Sequence, residues 1–196
     1  MRKRKTSSSS SRTKNRAATS SGRPSRAQLL AAKNKGIRDV IAPGLRVLFV
    51  GINPGLYTAF TGHHFARPGN RFWPALHGAG FSARLLHPSE QGELLRDGYG
   101  ITNLVNRATA TAEEVAPAEF AAGRKRLAAK VRRYRPRLVA FLGVGAYCHA
   151  FGIKGAAIGR LAERFEGAEV WVLPNPSGLN ANYQLPDLVK LFRQLR

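Results

Sequence analysis

The chain is 196 residues long and carries 32 Lys and Arg against 11 Asp and Glu, a net charge of +21. The length argues for one domain, and the charge for a polyanionic partner, nucleic acid first. The single cysteine excludes a disulfide framework, a four-cysteine zinc site and a cysteine-ligated iron–sulfur cluster. No apolar run reaches the roughly 18 residues of a membrane span, so no membrane partner is expected.

The charge is uneven. Residues 1–38 hold twelve Lys and Arg and no acid; the first acid is Asp39. The opening stretch has no large apolar residue between Met1 and Leu29, so it cannot offset its chain entropy by burial. A disordered basic tail is predicted over 1–36, followed by a single domain over 37–196. MRKRK runs into serines, which excludes a secretory leader, and a transit peptide would need an apolar face that is missing here. As a nuclear signal MRKRK is a weak pattern. The tail reads either as an arm that adds salt-sensitive, sequence-blind affinity for phosphates or as a solvated charge run.

Toward the end of the tail, residues 25–35 are predicted as a short helix stopped by Gly36; within the domain, RVLFV at 46–50 is predicted as a strand ending in Gly51. Helices follow at 71–79 and at 89–96, the latter with Ser89 as N-cap and Gly98 as stop. A strand is expected at 101–105. The clearest helix is 118–134, with Pro117 in its first turn, Phe120, Leu127, Val131 and Tyr134 on one face, and Pro136 beyond. A strand at 138–142, a helix at 145–151, a strand at 170–173 and a final helix at 186–195 complete the order. Four strands alternating with helices predict an α/β fold with a mainly parallel sheet covered on both faces.

In such sheets, ligands sit beyond the carboxyl ends of the strands. Three loops lie there. GVG at 143–145 lacks the third glycine of a dinucleotide fingerprint, since Cys148 holds that place; a tight turn is the better reading. GINPG at 51–55 sets Asn53 at the mouth of the sheet, where its amide can hold a water and a substrate edge together. An Asx-turn that satisfies its own backbone is the competing reading. PNPSGLN at 174–180 is stiff, and Leu179 in it is either a wedge between stacked bases or a cap on the core. The 57–73 segment mixes aromatics with Arg and Gly, a mixture suited to bases and phosphates. His63 and His64 are adjacent with no carboxylate between Asp39 and Glu90, so no metal site is expected. Glu93 and Asp97 read as solvated charges.

These motifs together resemble the mismatch-specific uracil/thymine-DNA glycosylase family. The resemblance rests on DVIAPGLRVLFVGINPGL at 39–56, FARPGNRFW at 65–73 and WVLPNPSGL at 171–179, with Gly123 to Lys125 and Leu142-Gly143 in the same pattern. It covers residues 39–196 and leaves out the tail. It implies the uracil-DNA glycosylase fold, a three-layer α/β/α domain with a four-stranded parallel sheet. It also implies a monofunctional hydrolase without cofactor or metal. Such an enzyme flips uracil, with thymine and modified pyrimidines as further candidates, out of G·U and G·T mispairs and starts base excision repair. The partner would be double-stranded DNA, the state a monomer, and the place the cytoplasm and nucleoid in a bacterium or the nucleus in a eukaryote. A non-catalytic nucleic-acid-binding module on the same scaffold is the alternative.

Carried over by position, Asn53 matches the water-positioning asparagine. Ile52, Gly55, Tyr57, Thr58, Phe65, Asn103 and Asn175 match the base pocket, with Phe65 as the stacking ring. Leu179 matches the wedge, and Gly178 and Asn180 the reader of the widowed guanine. The chain departs from the pattern at Tyr57-Thr58, where a small polar pair is common. It departs also at Asn103, where some relatives have lysine, and at Ala181, where a basic residue is sometimes found.

Overall fold

The computed structural model describes residues 23–196. The tail up to residue 22, and with it the expectations of disorder and of a targeting signal, lies outside the described residues. A short helix α1 (Arg26–Leu30) opens the chain, held by a reciprocal cap in which Ser25 Oγ accepts from Gln28 N–H and Gln28 Oε1 accepts from Ser25 N–H. Residues 26–36, which composition groups with the tail, lie along the body of the domain. Ala32 is buried, Asn34 N–H donates to the Ala108 carbonyl, Ala108 N–H donates to that of Lys35, and Lys33 pairs with Glu114.

The sheet has five strands: β1 (Val47–Gly51), β2 (Tyr99–Asn103), β3 (Leu138–Leu142), β4 (Gly159–Phe165) and β5 (Ala168–Leu173). Their order is β2-β1-β3-β5-β4, parallel except for β4, which runs antiparallel to β5 at the edge. The strand count of four is corrected to five. β4 escapes sequence reading because GRLAERF is largely solvent-exposed and carries charge in place of an apolar run. Those charges also suit an edge that must not pair with another chain.

Alternation along the strands sorts the core into two layers. Val47, Phe49, Ile101, Ala140, Leu142, Trp171 and Leu173 face α3 (Phe72–Gly78) and α6 (Leu185–Arg193), which contributes Leu188 and Phe192. Leu48, Val50, Val139, Phe141, Val170 and Val172 face α4 (Pro117–Tyr134) and α5 (Val144–Phe151). The result is the expected α/β/α sandwich. A further helix, α2 (Leu56–Thr61), directly follows the GINPG loop. The helix expected at 89–96 is a 3-10 segment, Pro88–Asp97, capped by His87 instead of Ser89. Gly92 in its interior weakens the α form.

Two features fix the loop after β2, next to the mouth of the sheet. The Lys130 ammonium pairs with Asp39 at 2.6 Å and donates to Thr102 Oγ1 at 2.9 Å; Thr102 Oγ1 donates to Asp39 at 2.7 Å. And α4 approaches Leu104 so closely that a Cβ on Gly123 would stand 2.3 Å from the Leu104 carbonyl oxygen. Gly to Ala inside a helix ordinarily stabilises by roughly 0.5–1 kcal/mol. Here backbone blocks the methyl, so Gly123→Ala is expected to destabilise by about 1–3 kcal/mol. Urea unfolding checks the sign; a raised midpoint would contradict the close approach.

Candidate active site

The parallel register brings Gly51, Asn103, Leu142 and Leu173 level at the carboxyl edge, so the loops that follow them meet. They enclose a cleft of about 440 Å³. Asn53 lies in its wall, half-buried. Its Nδ2 donates to Thr109 Oγ1 at 2.7 Å, to the Arg107 carbonyl at 2.9 Å and to the Pro54 carbonyl at 3.3 Å. Carbonyls can only accept, so the amide cannot be turned round, and Oδ1 is the atom left over. Thr109 is buried and spends its own proton on the Thr111 carbonyl at 2.6 Å. The two short bonds of Asn53 run to residues more than fifty positions away, which is not an Asx-turn.

Phe65 lines the cleft with φ +55°, a left-handed backbone that is uncommon for a bulky residue. Its ring stacks on Phe72, 4.1 Å between centroids at 24°. Asn103, at the end of β2, is buried and reaches the cleft with an amide that bonds to none of the described residues. β1 makes room for both: a Cβ on Gly51 would stand 2.5 Å from Asn103 Oδ1 and 3.4 Å from Phe65 Cζ. Ile52, Gly55, buried Thr58 and Asn175 complete the expected pocket set on this cleft.

Tyr57 does not belong to it. It lines a neighbouring cleft with Arg23, Leu29, Arg67 and Pro68. The reason is α2: its N-cap is Gly55, and successive side chains on a helix diverge by about 100°, so Thr58 faces the pocket and Tyr57 does not.

His64, whose spacing argues against a metal ligand, lines the cleft. Its Nε2 lies 3.1 Å from the Arg38 carbonyl and so carries the proton, and its own carbonyl accepts from Trp73 Nε1 at 3.0 Å. Burial lowers its pKa to about 4, against the raising effects of the Arg38 carbonyl and Asp39. The ring is neutral at pH 7, with Nδ1 as an acceptor. The unfolded chain, with an ordinary histidine, binds more protons between pH 6.5 and about 4. Stability is therefore fully present above pH 6.5, falls through that window and has lost about 3 kcal/mol below it. His64→Gln, which keeps a donor for Arg38, is expected to flatten this part of the stability–pH curve. An unchanged curve would contradict the assignment.

The 174–180 loop forms the opposite wall, with Asn175, Ser177, Leu179 and Asn180 on the cleft. Leu179 is 75 % exposed, which rules out its capping the core. Asn175 Oδ1 accepts from Ser177 N–H, and Asn180 Nδ2 donates to the Asn175 carbonyl, so the turn is braced from within. Gly178 packs on the 69–71 turn, where a Cβ would stand 2.4 Å from the Gly69 carbonyl oxygen.

Acidic groups are few. Glu113 lies on the cleft's rim, a carboxylate that sequence reading missed; its own backbone N–H and the Thr111 hydroxyl hold its pKa below the usual range. Glu93 is paired with Arg84, and Asp97 ends the 3-10 segment away from the cleft. Among the described residues no three His, Cys, Asp or Glu side chains cluster as metal ligands, and no helix is long and apolar enough to cross a membrane. Thr109, Asn70 and Arg67 also line the cleft without having been singled out as pocket residues. Only the place of Asn70 and Arg67 in an aromatic–Arg–Gly segment hinted at them.

Fold and cleft define an α/β domain with a pocket at its strand ends, lined by neutral amides and one aromatic ring whose face is open to stacking. Residues 38–196 match the family described as the uracil DNA glycosylase superfamily, and the chain belongs to it. Members of that superfamily are DNA glycosylases, hydrolases of DNA repair by base excision. Among solved structures, the chain resembles a candidate uracil DNA glycosylase from Methanosarcina acetivorans determined by NMR in solution. The TM-score is 0.52 at 17 % identity, over 83 % of this chain and 98 % of that one. At that identity the likeness shows the fold.

Proposed function

We propose that the chain is a monofunctional, monomeric glycosylase that removes uracil opposite guanine from double-stranded DNA. The observation that carries this reading is the oriented amide of Asn53, its Oδ1 left over in a cleft that Phe65 also lines and that holds no lysine. A base inside the duplex cannot present its glycosidic bond to such a cleft, so it must be flipped out. Phe65 then stacks on the base, and Asn103 offers a donor and an acceptor to its edge. Asn53 Oδ1 accepts a hydrogen bond from a water and aims its lone pair at C1′. The sugar develops oxocarbenium character, and the leaving pyrimidine takes up negative charge. Hydrogen-bond donors directed at that charge stabilise the transition state.

A neutral amide is no strong base, so positioning dominates over proton abstraction. Tyr57, outside the pocket, does not set the acceptance of the thymine methyl. Leu179 fills the space the flipped nucleotide vacates, and the backbone of 178–180 meets the widowed guanine.

Single-turnover base release from duplexes with G·U, A·U and G·T, and from single-stranded uracil, tests the reading. Release is expected to be fastest from G·U. Equal release from every uracil substrate would discard guanine reading and keep the glycosylase. Binding without release would support the non-catalytic module.

A further inference from the structure

Arg71, just before α3, sends its side chain across to the 176–183 loop. Nη1 donates to the carbonyls of Tyr183 at 2.8 Å, Asn180 at 2.9 Å and Ser177 at 3.4 Å; Nη2 donates to that of Gly178 at 3.3 Å. Its backbone N–H donates to the Pro176 carbonyl at 2.8 Å. Among the described residues it makes no salt bridge. Its charge is therefore answered by the main-chain dipoles of one loop, which has neither strand nor helix to give it shape.

We infer that Arg71 is the positioning residue of the wedge, holding 177–180 in the shape that fills the duplex and meets the base opposite the flipped nucleotide. The inference rests on the reading of that loop given above. Peptide planarity couples each carbonyl to the next N–H. With the carbonyls of Ser177, Gly178 and Asn180 drawn to the guanidinium, the N–H groups of Gly178, Leu179 and Ala181 are turned away from it. Those of Gly178 and Ala181 find no acceptor among the described residues. The Ser177 carbonyl also accepts from Asn180 N–H at 3.0 Å, whereas those of Gly178 and Asn180 keep a second lone pair. The exposed Leu179 is thus flanked by main-chain donors and acceptors in fixed directions. A widowed guanine offers both an acceptor, O6, and donors, N1–H and N2–H, to such an array. Nη1 gathers three of the carbonyls and Nη2 takes that of Gly178; a lysine's single nitrogen cannot stand at both places.

The test compares wild type, Arg71→Lys and Arg71→Met on two duplexes. In one, uracil faces guanine; in the other it faces an abasic spacer, where there is nothing to read and little to displace. Arg71→Met is expected to slow release from G·U about tenfold or more, by misplacing the loop, and to leave the spacer duplex within about threefold. Arg71→Lys should behave like Arg71→Met, although it keeps the charge. Adding Leu179→Ala to Arg71→Met should cost little more on G·U, since both act through one loop. Equal losses on the two duplexes, an unchanged G·U rate, additive losses, or failure of both variants to fold would overturn the inference. If wild type releases uracil from neither duplex, it is the glycosylase reading that fails.

Discussion

Asn53→Ala is expected to lower the rate of uracil release by about 10³-fold, the scale of a lost positioning or proton-handling group. Duplex affinity should stay within about threefold, because neither the wedge loop nor the chain's net charge of +21 depends on it. The structure says why the loss falls on chemistry. Thr109 Oγ1 and the carbonyls of Arg107 and Pro54 hold Nδ2, so the residue's one spare atom is Oδ1. Alanine removes that atom and leaves those acceptors without their donor, at a cost of about 1–3 kcal/mol where they are buried. Anisotropy with a labelled duplex separates affinity from rate. A variant that releases uracil as fast as wild type would place the water elsewhere.

Gly51→Ala should be nearly as damaging by a different route. The new methyl would meet Asn103 Oδ1 at 2.5 Å and Phe65 Cζ at 3.4 Å. Both are side-chain ends that can yield, so the fold should survive with a loss of no more than about 1–3 kcal/mol. What yields is the pair expected to hold the base, and displacement by an ångström costs on the order of 10²-fold in rate. Gly145→Ala is the control: its Cβ meets nothing within 4 Å and its φ is ordinary, so activity should be kept. Retained activity in Gly51→Ala, with a thermal midpoint like that of wild type, would remove Asn103 and Phe65 from the base pocket.

The strands with buried faces were legible because runs such as VLFV and LVAFL have no other economical fold than a covered parallel strand. α4 and α6 announced themselves by apolar period and by Pro at their first turn. β4 was hidden by its exposure, and α2 by its brevity. Missing α2 had a consequence at the site, since Tyr57 and Thr58 could not be assigned to different faces without it. The motif loops made Asn53 and Leu179 visible, but not the residues that hold them in place. Thr109 stands 56 positions from Asn53, and Arg71 more than a hundred from the carbonyls it gathers. No local spacing encodes such pairs; they exist only once the sheet has brought its loop ends together.

Hydrolysis of the glycosidic bond of uracil in DNA, the activity proposed for this cleft, leaves two products, free base and an abasic site. The most direct measurement is release of free uracil from a G·U duplex with purified wild-type chain in excess, without added cofactor, followed by alkali to reveal abasic sites. Free uracil and alkali-labile strands are expected in equal amounts, with no strand cut before alkali. A duplex that is bound and recovered intact would contradict the proposed activity.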